Sequence, residues 1–143
     1  MLIFDFTKYS LYLKYVIFSY IYISGCCWGS YMVVRLCENV CFKGGVSFHP
    51  SHSPIAGVLS ESEEEILKNV KCPQIFMPAD GDHPNTYPGG LGKNILNDAL
   101  EIVPFPDMKH GWTTRGDLSD PKVDRDLQKA LNMALTFFTK NLK

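Results

Sequence analysis

The sequence has no excess charge of either sign: 14 Lys and Arg stand against 15 Asp and Glu, for a net charge of −1. No basic patch interleaved with aromatics stands out, so nucleic acid and acidic membrane surfaces are not expected partners. A long apolar run is missing too. The N-terminal stretch MLIFDFTKYSLYLKYVIFSYIYIS is dense in Tyr, Phe and Ile, but Asp5, Lys8 and Lys14 interrupt it. Only residues 15–23 are largely apolar, short of the about 20 that a membrane-spanning helix needs. Nor does it have the basic start or small-residue cleavage site of a secretory signal. The five cysteines are odd in number and two are adjacent, which does not suit a disulfide framework and points to a reducing, cytoplasmic compartment. There is no linker and no repeat, and 143 residues fit one domain able to bury a core without metal or disulfide staples.

What is present is an alternation of short apolar runs with helical segments, the pattern of a parallel sheet with crossover helices. β-branched and aromatic residues from 16 to 23 predict a strand buried on both faces. Residues 30–40 read as a helix, 44–50 as a strand, and SHSPIAG as a loop. Ser60 with Glu63 three residues on forms a capping-box pattern, predicting a helix over 61–70. QIFMPA reads as a strand followed by the turn-rich DGDHPN, residues 88–100 as a glycine-rich lead into a short helix, and EIVPFP as a last strand. Asp120 and Pro121 open the clearest helix, with Val123, Leu127, Ala130, Leu131, Ala134, Leu135 and Phe138 on one stripe.

In such sheets the site lies at the carboxyl ends of the strands. Three ends carry useful chemistry: Cys27 in GCCWGSY, an acid in ADGDHP, and His110 in MKHGW. Gly25 and Gly29 bracket Cys27 as small residues bracket the nucleophile of a tight strand-to-helix elbow. The following helix would favour thiolate through its N-terminal dipole, and the Trp28 backbone N–H would face a developing oxyanion. Cys26 would point the other way, as a packed apolar residue. The chain order nucleophile, acid, histidine is that of the α/β-hydrolase arrangement. Asp80 and Asp82 both remain candidates for the acid, and either could be a turn residue bonding its own backbone.

Other groupings are weaker. Cys37, Cys41, His49 and His52 do not have zinc-finger spacing. The DGDHPN loop has Asn85 and Leu91 where a calcium loop needs Gly and Glu. No metal or other cofactor is expected.

GCCWGSY, GVSFHPSH, CPQIFMPADGDHP and PDMKHGWTTRGDLSDP together resemble successive landmarks of the dienelactone hydrolase family, α/β-hydrolases with a cysteine nucleophile. The resemblance runs from about Gly25 to the C-terminus, making 25–143 the hydrolase-like domain and 1–24 an atypical aromatic-rich segment. It implies an α/β fold, a truncated α/β-hydrolase with a mostly parallel sheet and helices on both faces. It further implies Cys27 as nucleophile, Asp82 as the triad acid, His110 as general base, Trp28 as an oxyanion donor, and Arg115 as a holder of a substrate carboxylate. The substrate would be a small-molecule ester or lactone.

A complete member carries about a hundred further residues before the elbow, which normally supply more strands and the second oxyanion N–H. Two expectations follow. The elbow strand would have one exposed edge, a template for self-association. A catalytically impaired paralogue acting as an interaction module is the alternative function.

Overall fold

The structure is a computed structural model, and it describes residues 21–141. Among the described residues six strands run as β1 (Ile21–Cys26), β2 (Phe42–Phe48), β3 (Gln74–Met77), β4 (Ala79–Asp80), β5 (Leu100–Ile102) and β6 (Phe105–Lys109). Between and after them lie helices α1 (Trp28–Leu36), α2 (His52–Val58), α3 (Glu63–Asn69), α4 (Leu91–Leu96), α5 (Trp112–Arg115) and α6 (Pro121–Lys140). Every pairing is parallel, in the order β1-β2-β3-β5, with β4 beside β6. Parallel neighbours need crossover connections, which the helices provide.

Successive side chains of the strands point to opposite faces, and both faces are covered. On one, Val46, Phe48, Ile75 and Met77 meet Ala130, Ala134 and Phe137 of α6. On the other, Phe76 packs with Tyr31 and Val34 of α1 and with Ile66 and Leu67 of α3. The sheet is thus held between layers, with its carboxyl ends free to carry loops.

Several local expectations are corrected. The first strand is only partly buried, and its chain is described from Ile21; residues 16–20 lie outside the described residues. Among the described residues β1 pairs with β2 alone. SHSPIAG is largely the helix α2, because Pro54 falls in its first turn, where no intrahelical N–H bond is required. The cap of α3 is Ser62, whose hydroxyl accepts from the Glu65 N–H at 3.3 Å, while Ser60 sits at φ 56° in the preceding turn.

EIVPFP is two strands rather than one. Pro104 has no N–H to give, so the ladder passes around it: Val103 N–H donates to Phe76 O and Phe105 N–H to Pro78 O. That shift hands the chain from β3 to β4 and aims the end of β6 back toward the elbow. On α6, Asp120 caps as expected, accepting from Lys122 N–H at 2.9 Å. The buried seam, however, is Asp126, Ala130, Ala134 and Phe137, while Leu131 and Leu135 are 49% and 65% exposed. The small alanines let the helix lie close on the sheet, and the leucines, one residue further round, are turned about 100° away.

Candidate active site

β1 ends at Cys26 and α1 begins at Trp28, so the whole reversal falls on Cys27. Its backbone has φ 52° and ψ −119°, a conformation that costs of order 1–3 kcal/mol outside glycine and persists only where its surroundings enforce it. The enforcing contacts are local. Cys27 N–H donates to Phe48 O at 3.1 Å, while the Cys27 carbonyl accepts from both the N–H and the hydroxyl of Ser30. The Ser30 Oγ in turn accepts from Ser51 N–H at 2.9 Å, tying the elbow to the chain that leaves β2.

Only one of the two bracketing glycines is demanded by space. A Cβ on Gly25 would lie 2.4 Å from Gly29 O and 2.9 Å from a Val33 methyl, whereas one on Gly29 would meet nothing within 4 Å. The close approach is of α1 onto the Gly25 backbone, and the far side of Gly29 is open.

The Cys27 side chain is half-buried, and three groups lower the pKa of its thiol. They are the His110 ring, the Ser51 hydroxyl at 3.8 Å and the Trp28 backbone N–H. Burial alone would push the thiol up, but these hydrogen bonds and the His110 charge outweigh it, and the group lies below the ordinary thiol value. For His110 burial acts downward, while its bonds to Cys27 and Asp82 and the nearby negative charge act upward; the net shift is upward. The two shifts have the signs of a thiolate–imidazolium pair.

His110 follows β6 directly, and its Nδ1 lies 2.6 Å from Asp82 Oδ1. That leaves Nε2 for Cys27. Asp82 follows β4, its side chain is 2% exposed, and its second oxygen accepts from Ala79 N–H at 2.8 Å. Both carboxylate oxygens are therefore committed, which fixes the direction in which the group presents itself to the ring. Asp80, the other acid of the loop, is exposed and has no bond to His110. Cys27, His110 and Asp82 thus converge from three strand ends.

The remaining sequence candidates fall as follows. The Trp28 N–H faces the sulfur, and its indole is 53% exposed, tilted on Tyr31 with ring centres 6.2 Å apart. Arg115, at the end of α5, is exposed, forms no ion pair among the described residues, and lies over Gly111. Cys26 accepts from the Thr113 hydroxyl at 3.4 Å and packs against the core. Among the described residues no group of three or more His, Cys, Asp or Glu could hold a metal ion. An open depression of about 430 Å³ beside the histidine–aspartate pair is lined by Ser51, Pro54, Asp82, His83, Pro84 and His110.

Two residues escaped the sequence reading. Ser51 donates to the sulfur, and His49 is fully buried with its ring edge-on to His110 at 4.8 Å and its Nε2 2.6 Å from Thr113 Oγ1. Burial first, then the His110 charge, pull His49 down to about 4, so it is neutral at neutral pH. The signal for these was the end of β2: it is a carboxyl end like the other three, and HPS follows it.

A parallel sheet with helices on both faces and an elbow cysteine facing a histidine–aspartate pair is the α/β-hydrolase arrangement. The sequence matches the Dienelactone hydrolase family over residues 3–142, and the chain belongs to that family. The match reaches beyond Gly25 into the aromatic N-terminal segment. Among solved structures, uncomplexed acylaminoacyl peptidase from Pyrococcus horikoshii is similar, with a TM-score of 0.67 and 21% identity over 96% of this chain and 27% of that one. At that identity the likeness is one of fold, and this chain spans about a quarter of the peptidase's length. No curated protein sequence matches. Membership in the family and the fold support a hydrolase. Among the described residues no helix is long and apolar enough to cross a membrane.

Proposed function

We propose that the chain hydrolyses small-molecule esters or lactones through Cys27, His110 and Asp82. The Cys27 thiolate attacks the substrate carbonyl, and the Trp28 N–H donates to the oxygen as negative charge gathers there. The tetrahedral intermediate collapses with loss of the alkoxide, which takes its proton from His110 Nε2 and leaves a thioester on Cys27. His110, neutral again, removes a proton from water as it attacks the thioester, and returns that proton to the departing sulfur. Asp82 holds the ring in the tautomer with Nδ1–H throughout and stabilises the imidazolium. Arg115, exposed and without an ionic partner among the described residues, is proposed to hold a substrate carboxylate.

The observation that carries this reading is the convergence on Cys27. A half-buried thiol in strained elbow backbone meets His110, whose other nitrogen is 2.6 Å from a buried carboxylate. The test is turnover of a p-nitrophenyl ester by the purified chain and by its Cys27→Ala variant. Loss of turnover in the variant is expected. Equal turnover by both, or none from folded wild type, overturns the reading.

A second reading is favoured by one observation, that β1 has a partner on one side only among the described residues. A free sheet edge offers a row of backbone donors and acceptors to another chain, so the protein would serve as an interaction module that self-associates through β1. Folded protein that forms concentration-dependent oligomers without ester turnover is its expected signature.

A further inference from the structure

Two thiols play no part in the site above. Cys37 ends α1 and is fully buried; Cys72 lies in the chain leading into β3 and is 7% exposed. They belong to one small apolar cluster with Val33, against which Ile23, Phe42 and Val70 pack. Their backbones touch: Lys71 N–H donates to Cys37 O at 2.8 Å. Each thiol is also the largest influence on the other's acidity. The Gln74 amide also bonds Cys72, with Nε2 3.4 Å from Cys72 Sγ and 3.2 Å from Cys72 O. A disulfide asks for Cα atoms roughly 4.4–6.8 Å apart and side chains aimed at each other; the shared buried cluster and the backbone hydrogen bond at the neighbouring Lys71 bring the two residues side by side.

We propose that Cys37 and Cys72 form a modification site, a dithiol that a hydroperoxide oxidises to a disulfide linking the end of α1 to the start of β3. The Cys72 sulfur, the one of the pair open to solvent, is the nucleophile. As its thiolate it attacks one peroxide oxygen, the O–O bond breaks, and sulfenic acid forms on Cys72 as the other oxygen leaves and is protonated. The Cys37 sulfur then displaces hydroxide from Cys72 as the S–S bond forms. Two thiols lose two electrons and one peroxide is reduced to two waters. The reagent must be as small as a peroxide, because only Cys72 is open to solvent, and then by a few per cent. Cys41, half-buried nearby, exerts no such influence on Cys72.

The site stands apart from the Cys27 reading, and its test does not use ester turnover. Native protein is treated with hydrogen peroxide, unfolded in iodoacetamide without reductant, and digested with trypsin. Peptides 36–43 and 72–93 are expected joined, two mass units below their sum, with Cys41 carrying the alkyl label. The oxidised protein should melt about 10 °C higher, because the bond closes a loop of about 35 residues. Cys72→Ala should lose the joined peptide and the rise in Tm, while Cys41→Ala should keep both. Alkyl label on both Cys37 and Cys72 after a peroxide dose that oxidises Cys27, or a bond made through Cys41 instead, overturns the proposal.

Discussion

Replacing Asp82 by asparagine changes one atom of the site and tests the reasoning about proton placement. The two oxygens of Asp82 are differently occupied: Oδ2 accepts from Ala79 N–H at 2.8 Å and Oδ1 faces His110 Nδ1 at 2.6 Å. Asparagine must keep its oxygen toward the Ala79 donor, since turning its NH₂ there would set two donors against each other in a buried position. Its amide hydrogen then points at His110 Nδ1, which has to accept. The proton moves to Nε2, and the nitrogen facing Cys27 can no longer take the thiol's proton. Thiolate is lost at the nucleophile and general base catalysis at the water step. The size of the effect for such a forced tautomer is about 10⁴ in turnover, while folding is little affected because the side chain is isosteric and still hydrogen-bonded. The assay is ester hydrolysis by wild type and Asp82→Asn, with urea melts to show that both are folded. A folded variant within tenfold of wild type would refute the tautomer argument and Asp82's role. The matching Asp80→Asn exchange, at an exposed carboxylate, is expected to leave turnover within twofold.

The Cys27 thiol lies below its ordinary value through its bonds to His110, Ser51 and the Trp28 amide, so its alkylation rate should rise to half-maximum at a pH below the usual thiol value of about 8.5. In His110→Ala burial remains while the largest lowering contact is gone, and the half-maximum should move upward; no movement would contradict the pairing. Ser51→Ala removes one hydrogen bond to the sulfur and is expected to slow turnover roughly two- to tenfold, the range one such bond supports, read from kcat/KM. Gly25→Ala would force a Cβ to 2.4 Å from a backbone carbonyl, with a stability loss on the order of 1–3 kcal/mol, whereas Gly29→Ala should melt at or above wild type, because its Cβ meets open space in the first turn of a helix.

Cys27 and His110 were legible in the sequence because their placement follows from backbone order. A parallel sheet sends its carboxyl ends to one side, and the residue types found just after apolar runs declare which ends carry chemistry. The carboxylate that pairs with His110 was not fully legible by that argument: Asp80 and Asp82 share one loop, and what separates them is the Ala79 N–H that seats Asp82 with its side chain 2% exposed. Ser51 and His49 lay further out of reach. Their importance rests on side-chain contacts between the end of β2 and two distant stretches, the elbow and Thr113–His110, and no spacing along the chain encodes such a meeting. The α6 seam failed for a related reason. Periodicity names a stripe about 100° or more wide, but which part of it touches the sheet is decided by side-chain size, and Ala130 and Ala134 permit the closest approach.

The same physical logic connects the elbow to the chain around it. A cysteine at φ 52° is held by contacts from β2, from α1 and, through Ser30, from Ser51. Ser30 and Ser51 therefore act at both levels: one fixes the carbonyl that closes the turn, the other donates to the sulfur the turn presents. Strain in the backbone and the lowered pKa of the thiol are thus both held by one small network. Disturbing Ser30 should loosen the turn and weaken the thiolate together, while disturbing Ser51 at its hydroxyl alone should weaken the thiolate and leave the turn intact, because the Ser51 N–H still reaches Ser30. Alkylation pH profiles and urea melts of Ser30→Ala and Ser51→Ala separate the two effects: both shifted in the first, only the profile shifted in the second. A Ser51→Ala variant destabilised as much as Ser30→Ala would show that backbone and charge are not divided between these residues in the way the contacts indicate.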